Sequence, residues 1–136
     1  MEDAIFAKII RREIPAHIIF EDEKTLAFLD ISPVNQGHVL VIPKEPARNI
    51  LDIDPANWAA LMETVRRLAK IVKEVTGADG INIDMNNEAA AGQIVFWAHV
   101  HIVPRFVGDM HVTRQHTTYG DGEAEAMAER LRAALP

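Results

Sequence analysis

The stretch from Asp54-Pro55 to Gly77 constrains the fold more than any other part of the chain. Aspartate is a good helix N-cap, proline is tolerated in the first turn where its missing N–H is not needed, and glycine just past the end accepts the left-handed conformation that stops a helix. Between these signals Trp58, Leu61, Met62, Val65, Leu68, Ala69, Val72 and Val75 follow i, i+3, i+4, i+7 spacing, with Arg66, Arg67, Lys70 and Lys73 elsewhere. A long helix with one apolar stripe must lay it on another apolar surface, and the flanking sequence supplies strands. His17–Glu21 and Thr25–Asp30 are short apolar runs around the polar Asp22-Glu23-Lys24, the pattern of an antiparallel hairpin. His38–Pro43 predicts a third strand after the loop Ser32–Gly37, and Gly80–Met85 and Ile94–Val103 predict two more around the loop Asn86–Gly92. Ile5, Phe6, Ile9 and Ile10 predict a short helix over Asp3–Glu13, capped by Asp3, and Glu123–Leu135 predicts a last helix. Hairpins, one long helix and a closing strand pair give an α+β class, an antiparallel sheet covered by helices.

At 136 residues, with no internal repeat or low-complexity tract, the chain fits one domain. No window approaches the roughly 18 consecutive apolar residues of a membrane span, so no membrane partner is expected. Glu2 and Asp3 stand where a secretory leader carries positive charge, and Lys8, Arg11 and Arg12 interrupt any apolar run, so a cytoplasmic location is expected. There is no cysteine, which excludes disulfides, thiolate zinc sites and cysteine nucleophiles. A formal net charge of −6 argues against a nucleic acid gripped along its backbone, while leaving room for a small anion in a local site.

Histidine and carboxylate must then carry any chemistry. His38 opens a predicted strand, and His99 and His101 stand two apart in another. Side chains two apart share a strand face, with Cα atoms about 6.5–7 Å apart, so two imidazoles can flank one phosphoryl group. A neutral imidazole is a nucleophile near pH 7, and a neighbouring one can act as its acid. The same spacing also suits a metal site, or two strand histidines with no role. His17, His111 and His116 sit in polar stretches where a solvated, idle histidine is the simpler reading. Gly92-Gln93, just before the histidine strand, reads either as a plain turn or as a place where backbone N–H groups and the Gln93 amide meet a phosphate.

Taken together, Gly92-Gln-Ile-Val-Phe-Trp-Ala-His-Val-His-Ile-Val-Pro-Arg105 and Gly37-His-Val-Leu-Val-Ile-Pro-Lys44 resemble the histidine triad (HIT) family of nucleotide hydrolases and transferases. The likeness extends to the nucleoside phosphoramidase (Hint-like) branch, from Ile5-Phe6 through Phe20-Glu-Asp22 and Leu26-Ala-Phe-Leu-Asp-Ile-Ser-Pro33 to Arg105. It implies a sheet of about five antiparallel strands with one long and one or two shorter helices. A HIT domain would span 1–107, and residues 108–136 would form an extension packed on the domain or on a partner in a homodimer. His99 matches the nucleophile that attacks the α-phosphate, and His101 matches the residue on the phosphate or leaving group. His38 matches a member of the relay or orienting network. Asp30 matches the residue that binds the ribose hydroxyls. Phe6, Ile9, Phe28 and Ile31 match the walls of the base pocket, a role that ordinary core packing would also explain. Asn86, Gly92, Gln93, Ile94 and Val95 match the surroundings of ribose and phosphate.

The implied activity is cleavage at the α-phosphate of a nucleoside phosphoramidate or similar purine nucleotide conjugate, through a covalent nucleotidyl-His99. The alternatives are a dinucleoside polyphosphate hydrolase, or a nucleotide-binding protein with little turnover. The last arises because Trp97 stands where the family pattern has the first triad histidine, and indole cannot relay a proton. On a strand, Trp97 would share the face of His99 and His101. Many bacterial relatives hold a structural zinc with a Cys-x-x-Cys pair, an upstream histidine and that first triad histidine. The matching positions here are Ala4, Ala7, Pro46 and Trp97, so no cofactor and no zinc are expected.

Overall fold

The computed structural model describes residues 4–109 and 117–136. Asp3, read as the first helix cap, and His111, Arg114 and His116 lie outside the described residues. In chain order the elements are α1 (Ala4–Ile10), β1 (Ile18–Glu21), β2 (Thr25–Leu29), β3 (Val39–Pro43), α2 (Pro55–Thr76), β4 (Gly80–Asp84), β5 (Val100–Arg105) and α3 (Glu123–Ala134), with a 3₁₀ turn at Ala89–Ala91 before β5. The strands form one antiparallel sheet in the order β1-β2-β3-β5-β4, which is the expected α+β architecture.

Helix α2 forms as its end signals require. The Asp54 carboxylate accepts the Ala56 N–H at 3.0 Å, and Gly77 closes the helix at φ 71°. Its stripe of Leu61, Val65, Leu68 and Val72 packs on one face of the sheet against Ala27, Val39, Val41, Val100 and Ile102. Phe6 and Ile9 of α1 cover the opposite face with Leu26, Phe28, Leu40, Ile42 and Trp97. Strand β3 is therefore buried on both sides along its whole length, which explains why Val39–Pro43 reads as an unbroken apolar run. His101 stands opposite Leu40 on β3 and Asp84 on β4, so its side chain emerges on the α1 face.

Helix α1 ends earlier than its periodicity predicts. Arg12 adopts φ 63°, and the Arg12 and Glu13 N–H groups reach back to the carbonyls of Ile9 and Lys8, closing the helix with a left-handed turn that here lacks glycine. A larger difference concerns the strand expected over Ile94–Val103, which begins only at Val100. Pro43 has no N–H to extend the ladder, and its carbonyl is taken by the Trp97 indole instead. The Ala98 N–H bonds the Ala47 carbonyl at 2.8 Å, so residues 94–99 are fastened to the chain beyond β3 outside the strand pairing.

The C-terminal helix α3 begins where expected, but none of its residues is buried. No helix among the described residues is long and apolar enough to cross a membrane.

The loop leading into His38 depends on Gly37, which sits at φ 98°, where a Cβ would come within 2.6 Å of the Thr76 methyl. Gly37→Ala is expected to cost about 1–3 kcal/mol, read as a lower denaturant midpoint with unchanged slope. An unaltered midpoint would show that the loop relaxes freely.

Candidate active site

Three histidines converge at the junction of β3 and β5. The His99 and His101 ring centroids lie 5.2 Å apart, and those of His38 and His101 5.1 Å apart. His99 stands just before β5 instead of within it, yet the pair still share one side, as the two-residue spacing predicts. Phe6 meets His99 edge to face at 5.3 Å.

The backbone dictates where the protons sit. The Val34 N–H donates to His38 Nδ1 at 3.1 Å, so in a neutral His38 the proton must be on Nε2. That Nε2–H donates to His101 Nδ1 at 2.9 Å, which puts the His101 proton on Nε2 as well. Asp30 backs the pair, with a carboxylate oxygen 3.6 Å from His38 Nε2. His99 is wired the other way round. Its Nδ1–H donates to the Trp97 carbonyl at 2.7 Å, leaving the Nε2 lone pair uncommitted. One histidine thus presents a lone pair and its neighbour a donor, which are the two complementary needs of displacement at phosphorus.

Beside the histidines lies a cavity of about 210 Å³, with Phe6, Ile9, Phe28, Asp30 and Ile31 on its wall. The five residues named from sequence as base and ribose contacts therefore line one space. Phe6, Ile9 and Phe28 are also buried members of the core on the α1 face, so the packing explanation holds for them at the same time. Ile31 is 86% exposed and belongs only to the rim.

Residues 86–95 form the other flank. Gly92 adopts φ 94°, and a Cβ there would press on the Asn86 amide at 3.3 Å, so the glycine is required. The Gln93 side chain departs from expectation. It is buried, its oxygen accepts from Asn49 Nδ2 (3.0 Å) and the Glu88 N–H (2.7 Å), and its amide donates to the carbonyls of Arg48 (2.7 Å) and Val95 (3.1 Å). The amide expected to meet a phosphate is spent inside the protein, and Gln93 instead holds the loop in shape. Asn49 and Glu88 complete this network, with Asn49 Nδ2 on the Glu88 carboxylate at 2.6 Å and Arg48 paired with it at 2.9 and 3.1 Å. Glu88 lies at φ 79°, a strained position for a side-chain-bearing residue. Neither residue carried a sequence signal, because single polar residues in a loop give no periodicity. Ile94 is 85% exposed and Val95 half-buried, both next to the histidines in the chain.

Among the described residues, Asp30, His38 and His101 form the group whose potential metal-ligand atoms lie within 4.8 Å of one another. The two facing nitrogens are already hydrogen-bonded to each other. Ala7 and Pro46 have no ligand atom, and the indole N–H of Trp97 donates to the Pro43 carbonyl, so these positions, at which the resemblance implies zinc ligands, do not fit a metal here.

The sequence model of the HIT domain family matches residues 11–108. The chain belongs to the HIT domain family. It is 43% identical to SMU.412c from Streptococcus mutans, with a TM-score of 0.91 over 98% of this chain and 85% of that one. The histidine triad nucleotide-binding protein from Candida albicans is 29% identical, with a TM-score of 0.83 over 95% of this chain and 94% of that one. Adenylylsulfatase HINT3 of Arabidopsis thaliana is 36% identical over 137 residues, covering 98% of this chain and 70% of that protein.

Within this HIT domain, burial lowers the pKa of both supporting histidines. For His38 it outweighs the opposing pull of Asp30 and Asp84. For His101, burial, followed by the charges that His99 and His38 would carry, pushes the pKa from 6.5 down to about 4. His101 is therefore a neutral donor at pH 7. On unfolding it regains its ordinary pKa, so between 6.5 and about 4 the unfolded chain binds a proton that the folded one refuses. Its contribution to stability is complete above that window and is lost as pH falls through it. A histidine-resolved NMR titration should give His101 a midpoint near 4, and a midpoint above 6 would contradict the wiring.

Proposed function

We propose that this HIT domain protein is a nucleotide-binding hydrolase or nucleotidyl transferase that acts at the α-phosphate of a nucleoside phosphoramidate or similar purine nucleotide conjugate. The observation that carries the reading is the opposed wiring of His99 and His101, one with a free Nε2 lone pair and the other with an Nε2–H. The base occupies the apolar cavity against Phe6, Ile9, Phe28 and Ile31, and Asp30 at its edge takes the ribose hydroxyls. Asn86, Gly92, Ile94 and Val95 flank the ribose and phosphate, with Gln93 shaping the loop from behind.

His99 Nε2 attacks phosphorus and forms a P–N bond as the bond to the leaving group breaks. The leaving amine or phosphate takes up a proton from solvent, while the neutral His101 keeps its Nε2–H and donates it as a hydrogen bond to the phosphoryl or leaving-group atoms. In the second half, water or another acceptor attacks the same phosphorus. The P–Nε2 bond breaks, the nucleotide is released, and the acceptor's proton passes to solvent, which restores neutral His99. His38 keeps His101 oriented throughout, through the bond between them.

Chemistry of this kind needs no metal, and the protein is proposed to work without zinc. The residue types at Ala7, Pro46 and Trp97 support this; the relatives named as an adenylylsulfatase and a nucleotide-binding protein support a nucleotide enzyme, and a cytoplasmic location is proposed with it. The exposed Met127, Leu131 and Leu135 of the C-terminal segment, spaced four apart, support a homodimer in which that segment finds cover.

Incubation with adenosine 5′-phosphoramidate and a lysine–AMP conjugate is expected to release AMP, and acid quenching should trap a nucleotidyl adduct on His99. His99→Asn should lower kcat by about 10³-fold or more while leaving nucleotide binding intact. Tight binding with no AMP released by the unaltered protein would replace this reading with that of a nucleotide-binding module. Elemental analysis of protein purified without chelator should find no stoichiometric zinc, and activity abolished by a chelator would refute the metal-free mechanism.

A further inference from the structure

Trp97 is 5% exposed and touches the chemistry through its backbone alone. Two hydrogen bonds meet at this residue. Its indole N–H donates to the Pro43 carbonyl at the end of β3 at 3.0 Å, and its own carbonyl accepts the His99 Nδ1–H at 2.7 Å. Residues 94–99 lie outside the strand ladder, so the site of His99 is not fixed by sheet pairing. The indole belongs to the buried cluster of Phe6, Ile9, Leu26, Phe28, Leu40 and Ile42, and it also lines a cavity with Ala7, Ile10, Lys44 and Pro46.

A neutral imidazole has two tautomers, and the one with a proton on Nδ1 presents the Nε2 lone pair. The carbonyl that selects this tautomer acts over a short range, since a hydrogen bond stretched by much more than half an ångström is lost. Whatever holds the Trp97 backbone still therefore holds the nucleophile in its reactive form.

We propose that Trp97 is a positioning residue for His99: its indole, hydrogen-bonded to Pro43 and packed in the core, fastens the segment before β5 and so keeps the Trp97 carbonyl on His99 Nδ1. Trp97 is thus the strut that holds the nucleophile in its reactive tautomer. This proposal rests on His99 being the nucleophile, as argued above, but its first consequence, the tautomer of His99, is observable without turnover.

The test compares Trp97→Phe, which keeps an aromatic ring and removes the N–H, with 3-benzothienylalanine at position 97, which keeps the bicyclic shape and replaces N–H by sulfur. Nitrogen-15 NMR of the unaltered protein should show His99 protonated on Nδ1, with a mixture of tautomers in both variants. With adenosine 5′-phosphoramidate, kcat should fall by about ten- to a hundredfold, well beyond any change in KM, because the lost bond acts on His99 while Phe6, Ile9, Phe28 and Asp30 stay in the cavity wall. Variants with wild-type tautomer and kcat would show that Trp97 only fills the core, and so would a parallel loss in KM and kcat with the tautomer unchanged. If Trp97→Phe does not fold, the sulfur isostere decides alone, since its shape is preserved. If His99→Asn leaves AMP release unchanged, the nucleophile assignment fails, while the NMR comparison still decides whether Trp97 fixes the ring.

Discussion

Strand β3 is the member on which the rest of the molecule hangs. It is buried on both faces, with α2 on one side and the α1 cluster on the other, and β2 and β5 pair with its two edges. Both ends of this strand serve the site. His38 stands at its entrance, turned by the Val34 N–H toward His101, and Pro43 stands at its exit, where its carbonyl receives the Trp97 indole. Burial on two faces makes any shift of β3 a disturbance of two packed layers, so each histidine is referenced to the least movable part of the structure.

From that frame the proton positions follow with little freedom. Main-chain groups at Val34 and Trp97 have fixed polarity, one a donor and the other an acceptor, and they impose opposite tautomers on His38 and His99. His101 takes its state from His38 in turn. The loop on the far side is held by a different device, a buried amide in Gln93 with four partners and the strained Glu88 that it grips. Backbone strain at Glu88 is sustained because Arg48, Asn49 and Gln93 all converge on that residue.

Much of this was legible in the sequence where local chemistry repeats. The caps of α2, its stripe, the hairpin around Asp22 and the apolar run of β3 all announce themselves through periodicity and end signals, while the burial of β3 on both faces emerges only in the structure. The start of β5 did not, because Ile94–Val95–Phe96 is as apolar as a strand and only the missing N–H of Pro43, far away in sequence, withdraws the ladder. The premature end of α1 was hidden for a similar reason, since Arg12 gives no warning of a left-handed turn. At the site, the histidines stand out by type and spacing, whereas the cavity wall is named only through the family likeness, since Phe6, Ile9 and Phe28 read equally well as core. The bond between His38 and His101 joins residues 63 apart and the Asn49–Gln93 bond residues 44 apart, distances that no local pattern encodes.

The cavity walls carry a consequence for how such a protein changes over time. Phe6, Ile9 and Phe28 form the surface of the cavity and the interior of the α1 face at once. A substitution that reshapes the cavity is also a substitution in the hydrophobic core, so ligand preference and folding stability draw on the same few side chains. Only the rim, where Ile31 stands in solvent, is free of that double duty. Divergence of selectivity among chains built this way should therefore begin at the rim and move inward only in lineages with stability to spare.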